Sequence, residues 1–393
     1  MNAPPVAVKV SCLLVNYFSA KHMAQALQSV LQQQLANTQF QISLDVVVVD
    51  NSSNAQEAAR LHELVQQFQD EVTSNNSERP HVQVIVNPQN TGFGEGNNLA
   101  FKHSLGSLVM LLNPDARMQS NCLLELTSAM LINDKLGACC PMQYWDHSHP
   151  WHLPPAWLPT GIGTWALTKA HQSTHIAQRL SNAYRNLALQ SWRGTGLTPQ
   201  RAISGGAMML RRSAVESGLF DTGYFMYFED SDLCLRLKQQ GWQLGLVPQA
   251  GLVHAWRHAA GKVDMMEASK AHYFESHFNG RGQWQRRLEN AQACNALDNP
   301  LNARLAALEG EAFHLPVPAE WQTDWLLEAS PSPLFTPSAG YFGQGAQAMI
   351  SKELLMRMSF QAEGSGAWQP AYVRLGPGHK TRQPLQVFKL DLN

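Results

Sequence analysis

Three acids, Glu229, Asp230 and Asp232, follow directly on the aromatic run Tyr224, Phe225, Tyr227 and Phe228. They open a helical pattern carried by Leu233, Leu235 and Leu237 that ends at Gly241. Acids crowded at a helix start behind bulky aromatics suit a general base beside a sugar-sized pocket, taking a proton from an acceptor hydroxyl. Asp230 is the candidate base. Glu229 and Asp232 beside it discourage full ionisation and would raise its pKa. Asp232 and Arg236 are four apart, the spacing of an ordinary helical ion pair. The plainer reading of Glu229 and Asp230 is favourable charge at the positive end of a helix, and the local sequence leaves both open.

Four further clusters carry chemistry. Asp115 follows Asn113 and Pro114, so a rigid turn holds its carboxylate. One carboxylate there can bind a divalent ion and leave other positions for a diphosphate, or it can serve as an ordinary turn acid. Asp50, with Asn51 and Ser52, closes a valine-rich run. It can accept hydrogen bonds from a ribose or base edge, or cap the next helix. The segment 90–98 holds Asn90, Gly92, Gly94, Gly96 and Asn98. Its spacing departs from the dinucleotide fingerprint, and the first strand ends in Asn16-Tyr17-Phe18 without glycine, which argues against a nicotinamide cofactor. His254 follows an apolar strand and suits a metal or a diphosphate hydrogen bond, or a structural role. The small run Ser204-Gly205-Gly206-Ala207 lets another group approach the backbone closely.

The elements that must position these residues alternate. Apolar runs at 8–17, 44–49, 82–86, 108–112 and 137–141 read as buried strands. Helical patterns fall at about 22–34, 56–71 and 123–133, and the 90–98 turn opens a helix through about residue 103. Such alternation implies an open, mostly parallel α/β sheet, in which ligands bind at the carboxyl ends of strands. Asp50, the 90–98 turn and Asp115 all fall at such ends. Residues 144–200, rich in Trp, His and Pro, break the rhythm and read as an insertion over one edge of the site, with a helix near 176–190. Strands are expected at 201–210, 242–247 and 251–253. Composition shifts after about residue 290, and short strand patterns at 325–328, 348–350, 355–360, 372–375 and 385–390 indicate a small antiparallel β module.

The chain of 393 residues is 44% hydrophobic and 15% charged, enough for one large domain and a smaller one. A formal charge of −1 gives no electrostatic case for nucleic acid. The N-terminus has no apolar signal core, the apolar runs are strand-length, and the six cysteines lack disulfide or metal spacing. A cytoplasmic protein is the expectation. The basic stretch 280–287 holds Arg281, Arg286 and Arg287 around Trp284. It reads as a solvated helix face or as a peripheral contact with an anionic membrane.

Taken in order, VSCLLVNY, VVVVDNSS, NPQNTGFGEGNN, VMLLNPDA, ISGGAMMLRR, LFDTGYFMYFEDSDLCLRLKQQGW and LVHAW resemble the family 2 glycosyltransferases of GT-A fold, and within them the bacterial rhamnosyltransferase-like branch. The likeness runs from about residue 8 to about 256. It implies an inverting transfer from a nucleotide-diphosphate sugar to a hydroxyl of a glycan or lipid-linked glycan, in cell-surface polysaccharide synthesis. By that resemblance Asp50 and Asn51 contact the nucleoside, and Asn90, Gly92, Asn98, Asn113, Gly205 and Gly206 help hold the donor. Asp115 and His254 hold Mg2+ or Mn2+, Asp230 is the base, and Glu229 is divided between acceptor contact and support. Asn113-Pro114-Asp115 carries one acid where a D-x-D motif has two, which weakens the case for strict metal dependence. A non-catalytic sugar-nucleotide or glycan-binding protein on the same scaffold is the alternative. The module after residue 290 lies outside the resemblance.

Overall fold

The computed structural model describes residues 5–73, 80–145, 150–255, 262–278, 286, 290, 295–361 and 366–393. Trp256 of the LVHAW motif and the basic stretch 280–287 apart from Arg286 therefore lie outside the described residues. No described helix is long and apolar enough to cross a membrane.

The first part of the chain forms strands β1 (Val6–Asn16), β2 (Phe40–Asp50), β3 (His81–Val86), β4 (Leu108–Leu112), β5 (Ala116–Met118), β6 (Leu136–Tyr144), β7 (Thr198–Pro199), β8 (Ala207–Arg211) and β9 (Gln243–His254). They join one sheet in the order β3-β2-β1-β4-β8-β6-β9-β5, with β7 on β9. β3, β2, β1 and β4 are mutually parallel, as are β6 and β9. β8 runs antiparallel between β4 and β6, and β5 antiparallel along β9.

Alternation along the strands divides the core between two faces. Val10, Cys12 and Leu14 of β1 face helices α1 (Ala20–Leu31), α2 (Ala55–Thr73) and α4 (Cys122–Ile132). Leu13 of the same strand faces α3 (Gly92–Lys102), α6 (Thr174–Trp192) and α7 (Glu229–Gln239). This is the mostly parallel, helix-flanked architecture expected. Cys12, Cys122, Cys139, Cys140 and Cys234 are free and buried, as small core residues.

Several expectations need correction. Most of the 90–98 turn is helix, because only Gly92 takes the left-handed φ (84°) and the chain winds into α3 at once. The strand expected at 201–210 starts only at Ala207. The strands expected at 242–247 and 251–253 are one strand, β9, irregular in its pairing with β6. The β5 strand, α5 (Gly161–Ala170) and α8 (Lys262–Phe278) went unread.

The C-terminal module shares its core with Trp145, Trp151 and Leu153 of the insertion. β10 (Arg304–Ala306), β12 (Trp325–Ser330), β13 (Ala339–Gly343), β15 (Ala371–Pro377) and β16 (Gln386–Leu390) form one sheet, and β11 (Ala312–Pro316) pairs with β14 (Gln347–Ser351). The pairing is antiparallel except between β10 and β16. The strand expected at 355–360 is mostly helix α9 (Lys352–Met358), started by the Ser351 hydroxyl, which accepts from Leu354 N at 3.2 Å. A short apolar run alone does not distinguish the two.

The module is tied to the insertion by a buried ionic triad. Glu328 Oε2 accepts from Arg185 Nε on α6 at 2.9 Å and from Arg374 Nε at 2.8 Å, and Glu328 Oε1 accepts from Arg374 Nη2 at 2.6 Å. Burial works against the Glu328 charge, but the two guanidinium groups outweigh it and hold the carboxyl below its usual range. Removing one partner of such a pair strands the others in low dielectric. Glu328→Ala should destabilise the protein by about 3–5 kcal/mol, read by chemical denaturation at neutral pH. Because the folded-state pKa is lowered, the carboxylate's contribution should be present above the unfolded value and fade as pH falls through the folded one.

Candidate active site

One side of the site sits at the end of β4. Asn113 leaves the strand with its N–H donated to Gly206 O at 2.9 Å, and Pro114 and Asp115 complete the turn into β5. β5 pairs with β9 so that Ala116 lies opposite His254. This register puts His254 Nε2 at 3.2 Å from Asp115 Oδ1 and 3.4 Å from Asn113 Nδ2. The other ring nitrogen, Nδ1, is 3.3 Å from Gln143 Oε1. Asp115 is half-buried. Burial opposes its charge, but the hydrogen bond and charge of His254 prevail and lower its pKa.

The other side is the start of α7. Tyr227 (φ 70°) and Phe228 (φ 67°) both stand in the left-handed region, which bulky residues rarely occupy. The helix begins at Glu229 immediately after them. Asp230 Oδ2 accepts from Gly205 N at 3.1 Å, and Oδ1 from Ser231 Oγ at 3.3 Å. Burial raises the Asp230 pKa, partly offset by main-chain hydrogen bonds from Gly205 and Ser231. Glu229 is buried, and its Oε2 has no hydrogen-bond partner. Its pKa is pushed up to about 8, first by burial and then by the charge of Asp230. Asp232 pairs with Arg236 at 2.7 Å, as its spacing implies, and also with His277 of α8 at 2.7 Å.

Gly205 and Gly206 join the two sides. A Cβ on Gly206 would lie 2.8 Å from His254 Cε1, closer than real contacts allow, and 3.0 Å from Asn113 Nδ2, tighter than most. Thus Asn113, Asp115, Gly205, Gly206, Asp230 and His254 come together as one cluster.

The expected donor-binding residues at the ends of β2 and β3 form a second, internally bonded cluster. Asp50 is fully buried: Oδ1 accepts from Asn16 Nδ2 at 2.9 Å, and Oδ2 accepts from Ser52 Oγ at 3.0 Å. Asn51 Nδ2 donates to Asn90 Oδ1 at 3.0 Å and to Gly92 O at 2.9 Å, while its Oδ1 accepts from Asn87 Nδ2 at 2.9 Å. Asn98 clamps the main chain of Phe220, donating to its O and accepting from its N, each at 2.9 Å. Its amide therefore positions the segment before the acids, where a direct donor contact was expected. Gly92 packs on the same segment: an added Cβ would be 2.0 Å from Phe225 O, which accepts from Phe93 N at 2.8 Å.

Asn16, Asn87, Glu57 and Gln143 were not anticipated. Asn16 and Asn87 each end or directly follow a strand, Gln143 lies near the end of β6, and Glu57 reaches Asn16 Nδ2 at 3.2 Å from α2. For Asn16, Asn87 and Gln143, the position at strand ends is the signal that could have found them.

A divalent ion fits the Asp115–His254 side. The carboxylate and the imidazole converge, and Asn113 Oδ1 beside them is buried without a partner. Two protein ligands suffice for a hard cation that takes its other oxygens from phosphate and water. Among the described residues no group of three or more His, Cys, Asp or Glu side chains forms a fuller metal cage.

Residues 11–187 match the family model described as glycosyl transferase family 2. N-acetylglucosaminyl-diphospho-decaprenol L-rhamnosyltransferase of Mycobacterium tuberculosis (strain ATCC 25618 / H37Rv) is 44% identical over 61 residues, 15% of this chain and 20% of that protein. Rhamnosyltransferase WbbL of Escherichia coli (strain K12) is 46% identical over 56 residues, 14% of this chain and 21% of that protein. The match spans about one fifth of the length of these relatives. The solved mannosyltransferase PcManGT from Pyrobaculum calidifontis, in complex with GDP-Man and Mn2+, is similar at a TM-score of 0.44 and 15% identity, over 75% of this chain and 79% of that one. Over residues 11–187 the chain is similar to family 2 glycosyltransferases, and over these short segments it is similar to rhamnosyltransferases.

The raised Glu229 pKa has a thermodynamic consequence. Between the unfolded value and about 8 the unfolded chain is ionised while the folded chain keeps its proton, so Glu229 lowers stability increasingly as pH rises through that window. Glu229→Gln should therefore raise the melting temperature at pH 8 relative to the parent by more than at pH 4.5. Parallel melts at the two pH values check this.

Proposed function

We propose that the protein is an inverting transferase that moves a sugar, rhamnose being the first candidate, from a nucleotide-diphosphate sugar to a hydroxyl of a glycan or lipid-linked glycan acceptor in cell-surface polysaccharide synthesis. The observation that carries this reading is the two-sided cluster, with Asp115 and His254 on one side of the Gly205-Gly206 link and Asp230 on the other.

In this reading Asp230 accepts the acceptor hydroxyl's proton as the hydroxyl oxygen bonds to the anomeric carbon. The bond from that carbon to the diphosphate oxygen breaks on the opposite face. Gly205 N–H orients the carboxylate, and the raised pKa makes it a stronger base than an exposed aspartate. The departing diphosphate needs no protonation, so a single base suffices, unlike the carboxyl pair of most glycosidases. Asp115 and His254 would hold Mg2+ or Mn2+, which when bound neutralises charge on the diphosphate. Asp50 and Asn51 support the nucleoside side from within, by fixing the ends of β1, β2 and β3 against one another. Glu229, protonated at neutral pH, supports the site beside Asp230 without acting as a second anion.

A thermal-shift screen of dTDP-, UDP- and GDP-sugars, with and without Mg2+ or Mn2+, tests donor and metal together, since tight binding raises the melting temperature by mass action. Asp230→Asn should keep the donor-induced shift and lose roughly 10²–10⁴-fold in transfer. Asp115→Asn and His254→Ala should lose the metal-dependent part of the shift. Unchanged turnover in Asp230→Asn would sink the base assignment. Stabilisation by glycans but by no nucleotide sugar would favour the non-catalytic binding protein instead.

A further inference from the structure

A cleft of about 520 Å³ opens beside the site and shares Ser204, Phe228 and His254 with it. Its floor is the β6 segment around Met142. Its walls come from the insertion, α5, α6 and α8, and from Thr336 and Pro337 of the C-terminal module. That volume falls within the range of small-molecule sites.

The lining is largely apolar, with Leu153, Pro155, Trp157, Leu167, Leu180 and Phe274 among its residues. Many of the polar groups that reach it are engaged with neighbours. Tyr184 OH donates to Pro155 O at 3.1 Å, Trp192 Nε1 to Leu153 O at 3.0 Å, and Gln200 Nε2 to Ser191 Oγ at 3.2 Å. A glycan subsite needs unspent donors and acceptors, because an unpaired sugar hydroxyl costs desolvation energy. α5 adds a second observation. Its sequence GIGTWALTKA carries one charge, Lys169, near its C-terminal end, and leaves Ile162 and Leu167 59% and 39% exposed. A helix apolar on several sides is normally covered. Trp157, 41% exposed, stands just before it.

We propose that this cleft holds the hydrocarbon chain of an amphiphilic acceptor, whose hydroxyl-bearing head lies at Asp230. The proposal rests on the glycosyltransferase reading and deepens it: the acceptor is a lipid-linked one, and the insertion together with the C-terminal module forms its chain-binding wall. Continuity with the site selects the occupant: the cleft reaches Ser204 and Phe228, so a substrate with its head at Asp230 has its chain led into it.

The test uses the full chain and a series with a constant head: methyl, hexyl and decyl β-D-glucoside below their micelle-forming concentrations, with geranyl glucoside as the isoprenoid arm. Binding is read by tryptophan fluorescence, since Trp157 and Trp192 line the cleft. Affinity should rise by about two- to fourfold per methylene buried, until the cleft is filled. Leu167→Glu places a charge in the lining and Thr164→Trp fills it. Each should weaken decyl glucoside at least tenfold, while leaving the nucleotide-sugar thermal shift and methyl glucoside binding unchanged. Geranyl binding tighter than a linear chain of equal carbon number assigns an isoprenoid, and the reverse assigns an alkyl chain. No dependence on chain length, or equal decyl glucoside binding in both variants, would overturn the proposal. Failure of the glycosyltransferase reading has a separate signature, the absence of any nucleotide-sugar shift in the parent protein.

Discussion

The missing side chain of Gly206 is the constraint on which the site depends. β8 is antiparallel between two parallel strands, with Ala207 opposite Leu112, so its first residues lie where β4 ends. The backbone just before it must pass between Asn113, His254 and Asp230. At Gly206 there is no room for a Cβ against the imidazole and the Asn113 amide, and the chain fits only because it has none. The same passage supplies the two main-chain contacts that set the geometry: Gly206 O accepts from Asn113, and Gly205 N donates to Asp230. One turn of backbone thereby fixes the distance between Asn113 and His254 on one side and Asp230 on the other. Side chains on mobile stems would hold that distance less firmly.

The aromatic segment before α7 costs energy and is held from outside. Two consecutive bulky residues with positive φ are unfavourable by about 1–3 kcal/mol each. Neighbouring elements offset this. Phe225 O accepts from Phe93 N, Met226 O accepts from Ser269 Oγ at 2.7 Å, and Phe228 packs on Tyr273 of α8. Asp232 completes the hold by pairing with Arg236 and His277 together. The strain turns the chain so that Glu229 enters a buried position while Asp230 stays partly exposed. Adjacent carboxyls thus meet different surroundings. Glu229, with an unpartnered oxygen, is the easier of the two to keep protonated, whereas main-chain donors to Asp230 partly offset the burial that raises its pKa. The pair therefore need not carry two charges at once.

How much of this was legible follows from the kind of signal involved. Strands β1, β2 and β4 are continuous apolar runs, and each ends at a polar residue that proves structural or site-forming, so sheet and strand-end residues could be read together. The cluster of Asp115, Asp230 and His254 was legible because the motifs recur in a recognisable order; local chemistry left each of them open. What stayed hidden depends on tertiary contact. Gly94 and Gly96 read as turn residues, yet they sit against Tyr224 O and Val15, giving a helix close approach to its neighbours. Asn98 looks like a ligand residue until the main chain of Phe220, 122 positions away, occupies its amide. Three-residue β5 has too little sequence to show a period, and only its pairing with β9 reveals that it aims Asp115 at His254.

The C-terminal module fell outside every motif, and the triad shows how it is tied to the insertion. Three buried charges are a poor way to gain stability, because desolvation consumes most of the Coulombic return. They are an effective way to select one arrangement. Arg185 places its remaining donors on Pro377 O at 2.6 Å and His379 O at 3.2 Å, and Arg374 places one on Ser181 Oγ at 2.6 Å. Each guanidinium therefore bridges α6 and the module, and a shift of either body by one helical turn would leave buried donors unpaired. Arg185 lies one residue from Tyr184, a wall residue of the apolar cleft, and the module contributes Thr336 and Pro337 to another wall. A lock that specifies position more than it adds stability is what a cleft assembled from two separate parts of the chain requires.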